Sequence, residues 1–291
     1  MQRIASQQLK VSDMANFHLA YLPLVTYPDV LPDDAVAAGV HLAVALGYDL
    51  HVMTFAVRIP YLSPSIGSTL LNIPDMIQTT ESNSRTQCKA LQAMVGGLEH
   101  GQSSVEFSTR EVVPGLTGTA AAEASRYFDL TFLPWAVDKP VIQELAESVI
   151  FGAGRPCVLV PPLPSKPIRH MALAWDGSRV AARALADASH LMTADMLITV
   201  LTVQGEKPLE HADIAQDMAH ALQHRGLNAR PLSVKLAGRP IAECLQQEAL
   251  TVGADLLVMG GFGHSRLKAF VLGGATRGVL QALRMPILLS H

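Results

Sequence analysis

DLLVMGGFGHSRLKAFVLGGATRGVL, Asp255 to Leu280, joins a short apolar run to a segment that repeatedly gives up its side chains: six glycines fall among the 23 residues from Val258 to Leu280. A continuous apolar run such as Leu256 to Met259 reads as a strand buried on both faces, the pattern of parallel sheets covered by helices. Gly260, Gly261 and Gly263 let the backbone take conformations closed to other residues and approach another group closely. Gly273 and Gly274 precede a helical pattern, Thr276 to Leu283, whose first N–H groups lack intrahelical partners and favour an anion. Strand, glycine loop and helix start together suit a phosphate. The same glycines also suit two tight turns and a close helix–strand contact, and their number alone leaves both readings open.

The pattern extends outward in both directions. Upstream, Ile168 to Trp175 reads as a buried strand, followed by the turn Asp176–Gly177–Ser178 and an Ala-rich helix, Arg179 to Met192. A strand from Asp195 to Val203, a helix from about Pro208 to His224, a strand from Asn228 to Leu236 and a helix from Arg239 to Val252 follow. Downstream, Met285–Pro286 leads into a last strand, Ile287 to Leu289. Continuously apolar strands alternating with helices predict a parallel sheet covered on both faces.

The first half repeats this order. Tyr48–Asp49–Leu50 matches Ala194–Asp195–Met196 at an offset of 146, Phe128–Asp129–Leu130 matches Ala254–Asp255–Leu256 at 126, and Arg155 to Val160 matches the segment from Met285 at 130. The fall in offset places about twenty extra residues in the first copy, near 58–80, a Pro/Ser-rich stretch. The later rise removes about four residues where the second copy has its glycines. There the first copy reads Pro134 to Pro140, without a glycine. The proline-rich Pro161 to Pro167 is the expected boundary between two domains, 1–160 and 168–291.

Composition narrows the function classes. With 291 residues, 49% of them apolar and 16% charged, the chain has material for a sizeable core. A net charge of −3, from 22 basic and 25 acidic residues without blocks, argues against nucleic acid or an anionic membrane surface as partner. Cys88, Cys157 and Cys244 form no CxxC and leave an odd count, which reads as reduced thiols. No apolar run approaches the roughly 18 residues of a membrane span. A cytoplasmic protein is expected.

Several motifs in the right order now resemble a known family. The spacing Gly260-x2-Gly263-x9-Gly273, with His264, Leu267 and Leu272 at matching positions, resembles the nucleotide signature of the universal stress proteins. Ala174 to Ser178 resembles the family's "VDGS" turn, and Ala254 to Gly260 its "ADLIVMG". The resemblance covers residues 168 to 291, and residues 17 to 160 follow it in outline. It implies a tandem universal stress protein (UspA-like): two doubly wound, five-stranded α/β domains of the adenine nucleotide alpha hydrolase type, strand order 3-2-1-4-5. It further implies that the last strands, Cys157–Val160 and Ile287–Leu289, pair antiparallel to make an intrachain pseudo-dimer, able to associate further as a homodimer.

Function follows by the same implication: a stress-response module binding ATP or another adenine nucleotide, with or without Mg²⁺, at one site in the second domain. Asp176 would lie against adenine or ribose, Val203 would line the base pocket and Met259 would contact the base. Gly260, Gly263, Gly273, Gly274 and Ala275 would contact ribose and phosphates, with His264 available as a phosphate donor. Two positions depart from the family. Gly274 stands where ATP-binding members carry Ser or Thr, a hydroxyl that Thr276 could partly replace, and Phe262 stands where many carry a basic residue. Two other readings stay open: a non-nucleotide scaffold whose lapsed site and insertion bind a protein or apolar ligand, and a slow ATPase or self-phosphorylating protein with Ser265 or Thr276 as acceptor.

Other constellations read as structural. Asp176 is also placed to cap the helix beginning near Ser178. Asp217, His220 and His224 share a helix face but lack a further ligand elsewhere, so no metal is expected. Gly152–Ala153–Gly154 follows a helix and fails the context of a dinucleotide fingerprint. Met53, Met76 and Met94 read as core methionines or as an adaptable apolar surface. No sequence pattern nominates a nucleophile or general base.

Overall fold

The computed structural model describes residues 18–60, 72–164, 166–261 and 274–291. The first half runs β1 (Leu19–Val25), α1 (Asp33–Ala45), β2 (Asp49–Val57), α2 (Ile73–Gly96), β3 (Val105–Val112), α3 (Thr117–Ser125), β4 (Leu130–Pro134), α4 (Pro140–Gly152) and β5 (Cys157–Val160). The second half repeats it as β6 (His170–Ala174), α5 (Arg179–Ala188), β7 (Leu197–Gln204), α6 (Ile214–His224), β8 (Asn228–Lys235), α7 (Ile241–Thr251), β9 (Leu256–Gly260), α8 (Gly274–Gln281) and β10 (Ile287–Ser290).

Local sequence accounts for most of these limits. On α5 the buried residues Ala181, Ala184, Leu185 and Ala188 recur at helical spacing. The helix expected to reach Met192 ends at Ala188 and passes into a tight turn at Ser189–Leu191. The helix expected from Pro208 begins only at Ile214, where the buried series Ile214, Ala215, Ala219, Leu222 starts. Glu210 and His211, ahead of it, are exposed and offer no apolar face to bury. Ile73 to Thr80 belong to α2, which has 24 residues against 11 in α6. The extra length of the first half is therefore shared between this longer helix and the stretch ahead of it.

The ten strands of the described residues form one sheet in the order β3-β2-β1-β4-β5-β10-β9-β6-β7-β8, each half having the order 3-2-1-4-5. Within each half every pairing is parallel. The halves join where β10 runs antiparallel to β5, with Ile287 opposite Leu159, Leu288 opposite Val158 and Leu289 opposite Cys157. This is the pseudo-dimer the resemblance implies. All six residues are 1% exposed or less, and one apolar core continues across the junction. Burying such side chains contributes roughly 1.5–3 kcal/mol each.

The repeated aspartates prove structural. Asp129 Oδ2 accepts from the Leu19 N–H at 3.0 Å, and Asp255 Oδ2 accepts from Arg169 and His170 at 3.0 and 3.1 Å. Each ties the start of the fourth strand of its half to the start of the first. Met76 and Met94 sit 18 residues apart on α2, roughly 27 Å along its axis. Met53, on β2, accepts a hydrogen bond from Tyr21. The three methionines do not make one surface.

Candidate functional site

In an open parallel sheet, ligands collect beyond the carboxyl ends of the strands where strand order reverses. In the second half that point is β6, which has β9 on one side and β7 on the other. The register brings Leu173 opposite Val258 and Ala174 opposite Leu201. Beyond it the Trp175 N–H donates to the Leu201 carbonyl at 2.8 Å, and Thr202 Oγ1 donates back to the Trp175 carbonyl at 2.7 Å. These bonds set Asp176, Val203 and Met259–Gly260 along one edge of three adjacent strands.

Asp176 is the polar centre of that edge. Its Oδ1 accepts the Ser178 N–H at 2.9 Å, closing the turn through Gly177, whose φ of +73° only glycine adopts cheaply. Its Oδ2 is paired with the Lys207 ammonium. Burial pushes the Asp176 carboxyl up, but the bonds to Lys207 and Ser178 and the Lys207 charge outweigh it and hold the group below its ordinary value. The cap of α5 is not Asp176. Ser178 performs it, its Oγ accepting from Ala181 N at 3.2 Å, because Asp176 stands two residues too early to reach the third helical N–H.

Val203 and Met259 are 8% and 3% exposed, so both form the floor of the edge rather than projecting from it. Gly260 touches protein as well as the opening. A Cβ there would lie 2.6 Å from the carbonyl carbon of Val180, so the glycine lets the first turn of α5 pack directly on β9. The Gly261 N–H donates to the Ser290 carbonyl at 2.6 Å, continuing the β9–β10 pairing by one residue. Gly274 begins α8, Ala275 is half-buried, and Thr276 is 1% exposed, its side chain enclosed by protein. Gly263, His264, Gly273, Phe262 and Ser265 lie outside the described residues.

Lys207 was not singled out from sequence. It follows β7 in the turn Gly205–Glu206–Lys207–Pro208, and a 3-2-1-4-5 order seats the end of the second strand beside the end of the first. That adjacency was the available signal. Elsewhere, His220 is hydrogen-bonded to Gln216 at 2.7 Å and Asp217 faces His211 at 3.3 Å. Among the described residues no group of three His, Cys, Asp or Glu side chains is arranged for a metal. No described helix is long and apolar enough to cross a membrane.

Comparison with known proteins bears on the same region. A family model described as the universal stress protein family matches residues 167–291. A universal stress protein from Synechocystis sp. is 29% identical over 147 residues, 49% of this chain and 49% of that protein, so the chain spans about half the length of that relative. Among solved structures, a universal stress protein from Archaeoglobus fulgidus superposes with a TM-score of 0.64 at 15% identity, covering 93% of this chain and 97% of that one. A chain from Pseudomonas aeruginosa, described as a candidate universal stress protein, gives 0.53 at 14% identity, with 94% and 93% covered. At those identities the structural likeness speaks for the fold.

Proposed function

We propose that the edge formed by β9, β6 and β7 binds an adenine nucleotide and that the protein is a stress-response binding or signalling module rather than an enzyme, a reading supported by the match of residues 167–291 to the universal stress protein family model. The observation that carries this reading is the convergence of Asp176, Val203 and Met259–Gly260 at the reversal of strand order. The first turn of α8 begins in the same connection, between β9 and β10. Val203 and Met259 supply an apolar floor for a base. Asp176 retains lone pairs for a ribose hydroxyl or the adenine amino group. Lys207 gives the edge a cation, which offsets in part the basic residue missing at Phe262.

The site is weaker than a full family site would be. Gly274 has no hydroxyl, and Thr276 is buried where it stands. A lost hydrogen bond to a charged group costs about 1.5–3 kcal/mol, roughly ten- to a hundredfold in affinity. We place the site in the domain 168–291 alone, the domain 1–160 lacking the glycine loop between β4 and α4. The engagement of both Asp176 oxygens, by Ser178 and Lys207, favours a second reading: a scaffold whose nucleotide site has lapsed.

Denaturing the purified protein and assaying the supernatant for released nucleotide, followed by calorimetric titration with ATP, ADP and AMP, separates the readings. Saturable heat near one nucleotide per chain is expected. No copurified nucleotide and no heat at about 1 mM ATP, a free energy weaker than about −4 kcal/mol, would leave the scaffold reading standing. Slow phosphate release abolished by Asp176→Ala and Gly263→Val would instead identify an ATPase.

A further inference from the structure

The first half has its own crevice at the corresponding place, and its chemistry is different. β1 lies between β2 and β4, so strand order reverses there as it does at β6. Beyond the carboxyl ends of β1, β2 and β3 lies a cavity of about 230 Å³, closed on its other side by the first turns of α3 and α4. We propose that this cavity is a second ligand site, taking a small, uncharged, largely apolar molecule of one or two fused rings.

Lining, charge and size each contribute. Val25, Phe55, Val57, Val112 and Leu145 form a buried apolar wall. The polar atoms behind it are satisfied within the protein. Thr26 Oγ1 donates to the Phe55 carbonyl at 2.7 Å and lies 2.6 Å from Ser84 Oγ, which accepts the Val57 N–H at 2.8 Å. Among the described residues of this wall a ligand meets no buried side-chain donor or acceptor demanding a partner, so an apolar surface is desolvated against it at little cost. Among the described residues no lysine or arginine lines the cavity, and Glu144 places a carboxylate at its exposed mouth. Lys139, beside the lining residue Pro140, is paired with Asp29 at 3.4 Å. A phosphate-bearing ligand is therefore disfavoured at this end of the molecule.

The mouth offers two specific contacts. Tyr27 is 38% exposed and presents a ring for stacking. Neither α3 nor α4 has a side-chain cap, and while Pro140 has no N–H and the Ile142 N–H donates to the Lys139 carbonyl in α4, the first N–H groups of α3 remain for one hydroxyl or carbonyl oxygen. The volume falls between the roughly 150 Å³ of a cavity that holds benzene and the roughly 300 Å³ at which drug-sized pockets begin.

The probes are 2-naphthol, which fits the class, and 2-naphthoate, its anionic counterpart, titrated into the full chain with and without ATP and followed by calorimetry and ligand-observed NMR. One saturable 2-naphthol site is expected, unchanged by ATP and at least about tenfold tighter than 2-naphthoate. Val141→Trp, at a half-buried position on α4, fills the cavity and should weaken 2-naphthol by about tenfold or more. Should that variant misfold by circular dichroism, Glu144→Lys carries the test: 2-naphthoate should gain about tenfold while 2-naphthol moves by less than about twofold. Absence of saturable 2-naphthol binding at about 1 mM, competition by ATP, or indifference to both substitutions overturns the proposal. Nucleotide binding at β6 is measured separately in the same titrations, so failure of either site leaves the other's result legible.

Discussion

Asp176 was legible from sequence as the aspartate of a turn behind a buried strand, placed either to cap the next helix or, by resemblance, to meet a ligand. Its partner was not. The Lys207–Asp176 pair joins residues 31 positions apart, and only the adjacency of β6 and β7 brings them together. The pair makes a pH prediction. A carboxyl held below its ordinary value in the folded protein contributes stability that is present above its unfolded value, 3.8, and lost as pH falls through the folded one. Asp176→Asn should therefore be less stable than the parent protein near neutrality, with the gap closing below about pH 4. Urea midpoints at a series of pH values measure this. A gap that stays constant into acid would mean the ion pair contributes nothing to stability.

At the scale of elements, Gly260, the last residue of β9, is set by packing within the protein. Gly260 read from sequence either as a place for close ligand approach or as a close helix–strand contact. Its φ lies outside the left-handed region, and what it permits is the contact of β9 with the Val180 backbone on α5. Gly260→Ala should cost about 1–3 kcal/mol in the ligand-free protein, because the backbone it would strike cannot rotate away as a side chain can. Thermal unfolding without nucleotide checks this, and an unchanged midpoint would return Gly260 to a purely ligand-facing role. The elements themselves were readable within a few residues, since buried parallel strands and amphipathic helices carry strong periodicities. Exceptions arose where polar residues break the pattern. The segment ahead of α6 has no apolar face, and the long α2 grows out of a stretch whose prolines and serines read as loop.

At the scale of the molecule, one sheet and one core imply one cooperative unit. The two tryptophans fall one in each half, Trp135 after β4 and Trp175 after β6, so Trp135→Phe and Trp175→Phe isolate a fluorescence reporter for each. Urea transitions followed through the two reporters should coincide, and transitions separated by more than about 0.5 M would show that the β5–β10 junction does not couple the halves. Cys157 adds an internal check at the junction. Burial pushes its thiol up to about 12, and Leu289 covers it across the pairing. A thiol reagent should reach it only through unfolding, its rate tracking the global stability.

The sequence by itself determined the alternation of strands and helices, the recurrence of that order in both halves, the asymmetry of the two connections before the last strands, and the resemblance of the motifs around Asp176 and Gly260 to those of a known family. These are encoded locally, in periodicity, glycine positions and short motifs, and need no knowledge of neighbours. Tertiary structure alone decided that Lys207 meets Asp176, that Gly260 accommodates Val180, and that the first half encloses an apolar cavity where the second presents a charged edge. Each of these depends on which strand ends stand side by side, a property of sheet order that no single stretch of chain contains.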